Sequence, residues 1–394
     1  MRKFRYHRVD RRTQPGPYTD YTAKWKVLHW KSVNTNPFAV TDRPLHSPLL
    51  PPQVLRDYLQ GNRGVFLKIR YPSAGRTKTK MIIDRRRFLQ LGSSSAAISL
   101  IPSTFAETPQ PPPIIDVHLH AYPSDSPIPA VKNPATGKTV KLKDGAAHRA
   151  ACLAEMKRLN IVKAVVSGGD GDRLAAATAW HDADPGRIIP GAGIRGSEDT
   201  PLPDLSVLRS DFTSGRMRVL GEVTTQYAGL TLDDPKYAAY LALAEELDIP
   251  VALHTGTMPP GMSFDPCCRT ARARLGNPEL VEEALNRYPK LRLNLMHAGW
   301  PYLDDTLSIL FHYPQVNADL GAIDWLLPRA EFHAYLHSLM RAGFGKRLMF
   351  GTDQMYWPEG IAMAVDGVNS ASFLSHGEKR DIFYWNAARF YKLG

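Results

Sequence analysis

The sequence has few cysteines, no apolar run long enough to cross a bilayer and, in its first 80 residues, no glutamate. Each shortage removes a class of protein. The three cysteines, Cys152 and the adjacent Cys267 and Cys268, supply neither a disulfide framework nor a Cys-x-x-Cys metal pair. They are expected to be free thiols in packing or loop positions, with a vicinal Cys267–Cys268 bridge as the strained alternative. The apolar stretch 91–101 is too short and too rich in serine to span a membrane. No glycine-rich phosphate turn follows the first apolar run, which argues against a doubly wound dinucleotide-binding sheet. Repeats at a solenoid period are absent, as is any low-complexity stretch after Pro113.

Positive charge is plentiful but badly spread. A formal net charge of +11 would ordinarily point to nucleic acid or a membrane surface. Residues 1–80 hold 17 Lys and Arg against four Asp, and residues 81–106 hold three Arg against one Asp, which leaves 107–394 at −4. The segment with a globular pattern is therefore mildly acidic, and the basic total says nothing about its partner. Residues 1–80 lack sustained periodicity and carry proline clusters such as Pro48-Leu49-Leu50-Pro51-Pro52. A disordered or misannotated extension is expected there. A DNA-binding arm is the alternative, without a helix-turn-helix or zinc pattern to support it.

Met81 opens a different segment. Arg85-Arg86-Arg87-Phe88-Leu89 precedes the modest apolar run, and Ser103-Thr104-Phe105-Ala106 places small residues at the cleavage-defining positions. A charged region, a short apolar region and a small-residue site in that order make a signal peptide over 81–106. Its core resembles a twin-arginine export signal. The expectation is an exported, periplasmic protein whose natural start is Met81, with no stable membrane insertion once the signal is removed.

From Ile114 onward, eight apolar runs alternate with amphipathic stretches: 114–117, 161–166, 188–194, 218–223, 251–253, 291–296, 316–320 and 347–350. Helical patterns lie between them, as at 146–159, 236–246, 278–287 and 330–340. Helix stops stand at Asp248-Ile249-Pro250 and Tyr288-Pro289. Eight strands alternating with helices over this length predict an α/β fold, a (β/α)8 TIM barrel over 107–394. Stretches 357–365 and 378–391 would supply C-terminal closing helices.

Polar side chains gather where these strands end, the catalytic face of such a barrel. The first ends Asp116-Val117-His118-Leu119-His120, and alternation sends both imidazoles to one side, within reach of one ion. The fourth ends in Glu222, the fifth in His254-Thr255-Gly256, the sixth in His297-Ala298-Gly299 and the eighth in Gly351-Thr352-Asp353. One such residue is more often a helix cap or a turn. Five strands that each end in a metal-competent side chain are not explained by capping. The remaining candidates of this kind, His148, His181, His312, His333, His337 and His376, fall in helical or loop stretches as surface or packing residues.

These motifs, with the closing Asn386-Ala387-Ala388-Arg389-Phe390, resemble the amidohydrolase superfamily, in its amidohydrolase-related branch, over 113–394. The resemblance implies a metal-dependent hydrolase with His118, His120, His254 and Asp353 as primary ligands. It implies His297 as a second-site ligand or a substrate-polarising group. Glu222 stands where relatives place a bridging carboxylate, a modified lysine or no ligand, so one ion or two remains open. Zn2+ suits imidazole and carboxylate donors and lowers the pKa of a bound water to about 7; Mn2+ or Fe2+ would suit the same set. Asp353 would act as general base and then acid, with His297 polarising the reacting carbonyl or phosphoryl oxygen.

For the substrate, Arg269, Arg272 and Arg274 lie in a long loop after His254, and Trp300, Tyr302, Trp325, Tyr356 and Trp357 follow other strand ends. Together they would suit a small organic carboxylate, unless the aromatics pack loops and the arginines are solvated. Asp319, ending the seventh strand, would bind substrate or turn the chain. The expected partner is a small-molecule substrate, with no nucleic acid and a homo-oligomer left open. Hydrolysis of an amide, lactone or ester leads. Metal-dependent, non-oxidative decarboxylation of an aromatic or unsaturated acid is the first alternative, and a non-catalytic periplasmic ligand-binding barrel the second.

Overall fold

The computed structural model describes residues 111–168 and 173–393; the expected extension and export signal lie outside them. Eight parallel strands follow one another in chain order: β1 Ile114–Ala121, β2 Ile161–Gly168, β3 Ile188–Ile194, β4 Val219–Val223, β5 Val251–His254, β6 Leu293–Met296, β7 Val316–Asp319 and β8 Leu348–Met349. β8 has two residues, so the seam to β1 is closed by backbone just beyond it. The Val117 N–H donates to the Phe350 carbonyl at 3.0 Å and the Asp353 N–H to the His118 carbonyl at 2.7 Å. The fold is the expected (β/α)8 barrel.

Helices α1 Gly145–Arg158, α2 Arg173–Ala183, α3 Leu205–Ser214, α4 Ala238–Glu246, α5 Glu282–Arg287, α6 Leu303–His312, α7 Ile323–Leu326 and α8 Arg329–Arg341 form the outer layer. α1 starts where the Asp144 side chain accepts the Ala147 N–H at 2.9 Å, satisfying one of the open donors of its first turn. It buries His148, Cys152 and Met156, spaced by four, against the barrel. Burial pushes His148 down to about 4, so it packs as a neutral ring against Tyr122.

The buried apolar residues separate into two cores. One joins the outer faces of the strands to helix residues such as Met156, Trp180, Leu208 and Phe332. The other fills the lumen: Ile115, Val117, Val165, Ile189, Val219, Ala252, Met296 and Met349. After α8 come α9 Glu359–Asn369, α10 His376–Arg380, a single π turn and α11 Asn386–Phe390. Ala387, Ala388, Phe390 and Tyr391 join the lumen cluster, so this C-terminal segment plugs the floor of the barrel.

One irregularity sets up the site. The register of β1 on β2 slips between Asp116 and Leu119, so three steps on β1 face two on β2. Ile115 and Val117 belong to the lumen core, whereas Leu119 and Ala121 belong to the outer one. The bulge therefore reverses the alternation, and lumen-facing hydrophobics are followed at once by lumen-facing His118 and His120. The cysteine expectation needs correction. Cys267 and Cys268 form a disulfide, and only Cys152 is a free, buried thiol among the described residues. The two residues share the Pro266–Cys268 3-10 turn in the loop after β5.

Candidate active site

The C-terminal ends of five strands deliver six polar side chains to one place. Ligand atoms of His118, His120 and Glu222 lie within 4.8 Å of one another, as do those of His118, His297 and Asp353 and those of Glu222, His254 and His297. All but His120 are buried. All six metal candidates named from the sequence are thus brought together.

Hydrogen bonds from the outer side of each ring decide which nitrogen faces this centre. His118 Nδ1 donates to Asp319 Oδ1 at 3.3 Å, His297 Nδ1 to the Gly321 carbonyl at 2.8 Å and His254 Nδ1 to Gln226 Oε1 at 3.0 Å. With Nδ1–H engaged, Nε2 is the nitrogen each ring leaves for an ion. Asp319 turns the chain, through the Gly321 N–H, and braces His118. Its carboxylate also accepts Asn294 Nδ2 at 2.7 Å and the Gly321 N–H at 2.9 Å, making a rigid bracket behind His118. Gly321 has to be glycine, since a Cβ there would come within 2.6 Å of His118 Nδ1. His120 is fixed through its backbone: its N–H donates to Gln354 Oε1 at 3.0 Å, and Gln354 Nε2 donates to its carbonyl at 2.9 Å. At His254 the Tyr227 hydroxyl donates to Nε2 at 3.2 Å, so that lone pair serves either the hydroxyl or an ion.

The electrostatics are those of a site built for a cation. Burial alone would lower His118, but Asp319, Asp353 and Glu222 outweigh it and hold the imidazole at about 10. His120 is also held up against burial, by Asp353 and Glu222. His254 is pushed down to about 3, by burial and then by its neighbour His297. Against the opposing pull of burial, the surrounding imidazoles keep the Glu222 and Asp353 carboxyls below the usual range. Asp353 Oδ1 lies 2.9 Å from His120 Nε2 and 3.7 Å from His118 Nε2. His118 Nε2 and Asp353 Oδ1 are both buried without a well-formed hydrogen bond. Converging imidazole nitrogens and carboxylate oxygens with orphaned lone pairs are the donor set a divalent cation takes.

The substrate candidates fare differently. Arg269, Arg272 and Arg274 are exposed, and Arg272 Nη1 donates to the Arg269 and Ala271 carbonyls. Trp300 Nε1 donates to Glu331 at 3.2 Å, and the Tyr356 ring stacks on Tyr122 at 5.0 Å. Trp325, Trp357 and Tyr302 each donate to a loop carbonyl, so these aromatics brace loops. Sequence reasoning missed Gln226, Tyr227, Gln354 and Arg195. Gln226 and Tyr227 follow strand β4 by three and four residues, Gln354 follows Asp353, and Arg195 follows β3 directly, so nearness to a strand end was the available signal.

A family model described as amidohydrolase matches residues 115–393. Among solved structures, a probable 2-pyrone-4,6-dicarboxylic acid hydrolase from Acinetobacter baumannii, with citric acid bound, is 16% identical. The match covers 71% of this chain and 99% of that one at a TM-score of 0.52. A 2,6-dihydroxybenzoate decarboxylase from Rhizobium is 15% identical, with 72% and 99% covered and a TM-score of 0.50. Likeness at this identity shows the fold alone. The fluG protein of Emericella nidulans is 24% identical over 132 residues, which is 30% of this chain but 15% of that protein. The family match, in contrast, runs through the barrel from the second residue of β1 to the end of the floor plug and takes in all six donors, and the chain belongs to the amidohydrolase family.

Proposed function

We propose that this protein is a metal-dependent hydrolase that adds water across a C–N or C–O bond of a small organic molecule, an amide, lactone or ester. The observation that carries this reading is Asp353 Oδ1, a buried carboxylate oxygen without a hydrogen bond, set 2.9 Å and 3.7 Å from the Nε2 atoms of two histidines. His118, His120 and Asp353 would hold a divalent cation, with Glu222, His297 and His254 available to it or to a second. Zinc is the preferred ion for these donors, and once bound it supplies Lewis acidity and an acidified water. Asp353 stays ionised at neutral pH, so it can take a proton from attacking water and return it to the leaving group. His297, locked by its bond from Nδ1 to the Gly321 carbonyl, would keep the Nε2 lone pair as a further ligand for the cation.

The test is turnover of a panel of lactones, esters and amides by protein loaded with zinc, manganese or ferrous iron, with elemental analysis alongside. Hydrolysis that disappears on chelation and returns with metal is expected. Carbon dioxide released from aromatic or unsaturated acids, with no hydrolysis, would replace the reading by decarboxylation. Saturable binding with no turnover would leave a ligand-binding barrel.

A further inference from the structure

We infer that Arg195, with Arg173 beside it, forms a carboxylate-binding subsite in the active-site wall, so that the substrate is an organic acid anchored by a carboxylate that is not cleaved. The inference rests on the hydrolase reading only for which bond reacts.

Arg195 stands just beyond β3 and is 8% exposed. Its contacts are poor for a buried cation. Nε reaches Thr224 Oγ1 at 3.4 Å and Nη1 reaches the disulfide sulfur of Cys268 at 3.8 Å, both weak neutral acceptors. Among the described residues the nearest carboxylate in an ion pair is Asp199 Oδ2 at 3.9 Å, half in solvent and beyond hydrogen-bond distance. A guanidinium keeps its charge at any ordinary pH and carries five donors. Burying one without an anion in hydrogen-bond contact is costly, and a ligand that brings the anion removes the cost.

The place is suited to substrate. The Arg195 guanidinium sits over the Tyr227 ring, 5.2 Å from its centre, and the hydroxyl of that ring donates to His254 Nε2 at 3.2 Å. One tyrosine ring therefore separates the guanidinium from the histidine cluster, a span that a small organic acid bridges. Arg173 adds a second buried cation. Its Nη1 lies where a Cβ on Gly193 would be 3.4 Å away, and Gly193 is two residues before Arg195. The charges of both arginines bear on Tyr227 and on Asp199, so both lie near that ring. Arg269, Arg272 and Arg274 are solvated and offer no such enclosure. The planar fork of arginine matches a carboxylate with two parallel hydrogen bonds.

The probes are acetate, glutarate and benzoate, with benzamide as the uncharged counterpart of benzoate and inorganic phosphate as the competing anion. Each is titrated calorimetrically into the full-length protein, metal-loaded and metal-stripped. At least one carboxylate is expected to bind in both forms, and benzoate more tightly than benzamide. Arg195→Met should weaken that binding about 10- to 100-fold, the range for a charge-assisted pair. Arg195→Lys should show a few-fold loss, because it keeps the charge without the fork. The double variant Arg269→Met, Arg272→Met should bind as wild type. Circular dichroism and metal content report whether each variant is intact. Wild-type affinity in both Arg195 variants, no binding of any of the three acids, loss in the loop variant, or preference for phosphate would each overturn the subsite. Binding that depends on Arg195 in a protein that hydrolyses nothing would uphold the subsite and remove the hydrolase reading. Hydrolysis of acidic substrates indifferent to Arg195 would do the reverse.

Discussion

Without a cation, His118 is held at about 10 and His120 is also held up, because neighbouring carboxylates outweigh burial. The His118 imidazole therefore carries an extra proton at pH 7, on the nitrogen an ion would need. Metal binding has to displace it, so uptake of zinc at pH 7 should release about one proton from His118. Calorimetry in two buffers of different ionisation heat measures the release, and apparent affinity should rise with pH. Uptake with no proton release would mean that the ion takes other donors. The adjacent carboxylate leads to a kinetic prediction. Asp353→Asn should keep the fold, since the seam bond uses the Asp353 backbone N–H, and should lower kcat by roughly 10²- to 10⁴-fold. Undiminished kcat would remove Asp353 as the proton carrier. The clustering of these six side chains was legible in the sequence because imidazole and carboxylate at successive strand ends form a joint pattern. Arg195 also ends a strand, yet a lone arginine reads as solvated, and only burial reveals otherwise. The exposed loop arginines show the converse error.

At the scale of elements, the apolar runs marked all eight strands because each is short and followed by turn chemistry. Helix starts were less legible. The runs 236–246 and 278–287 each open as a 3-10 turn, Pro235–Tyr237 and Pro278–Val281, before the α-helix proper. Asp234 and Asn277 cap these turns, with proline in the first position, a start that tightens the first turn. The bulge in β1 could not be read, because Ile-Ile-Asp-Val-His-Leu-His looks like plain alternation and the slip depends on pairing with β2. Its consequence is that His118 needs support from behind, which the segment after β7 provides through Asp319 and Gly321. Gly321→Ala would drive a Cβ to within 2.6 Å of His118 Nδ1 and 3.1 Å of Asp319 Oδ1. The imidazole must then turn, and metal affinity should fall ~10- to 100-fold. Competition with a chromophoric chelator measures this, and unchanged affinity would show that the bracket does not position His118.

Over the whole barrel, Glu222, Asp319 and Asp353 bury three carboxylates at one end of a lumen whose other end is plugged by apolar side chains. That arrangement requires positive charge at the mouth, from protons on the histidines or from a metal, and the two sources respond differently to pH. In metal-free protein His118 is raised to about 10 from an ordinary 6.5, so its contribution to stability is fully present below 6.5 and is lost as pH rises through about 10. The carboxylates lie below their ordinary range, so their contribution is already constant above about pH 5. A bound cation carries no proton to lose, and its affinity improves as competition from protons fades. With free metal about a thousandfold above Kd, binding contributes about 4 kcal/mol, which for a barrel of this size raises Tm by roughly 8 °C. The gap in Tm between metal-loaded and chelated protein should therefore widen steadily from pH 6.5 towards 10, with far-UV circular dichroism unchanged between the two forms at the low end. A gap that stays constant would mean that protons on His118 do not substitute for the metal. A gap that narrows would place the stabilising ion outside this cluster.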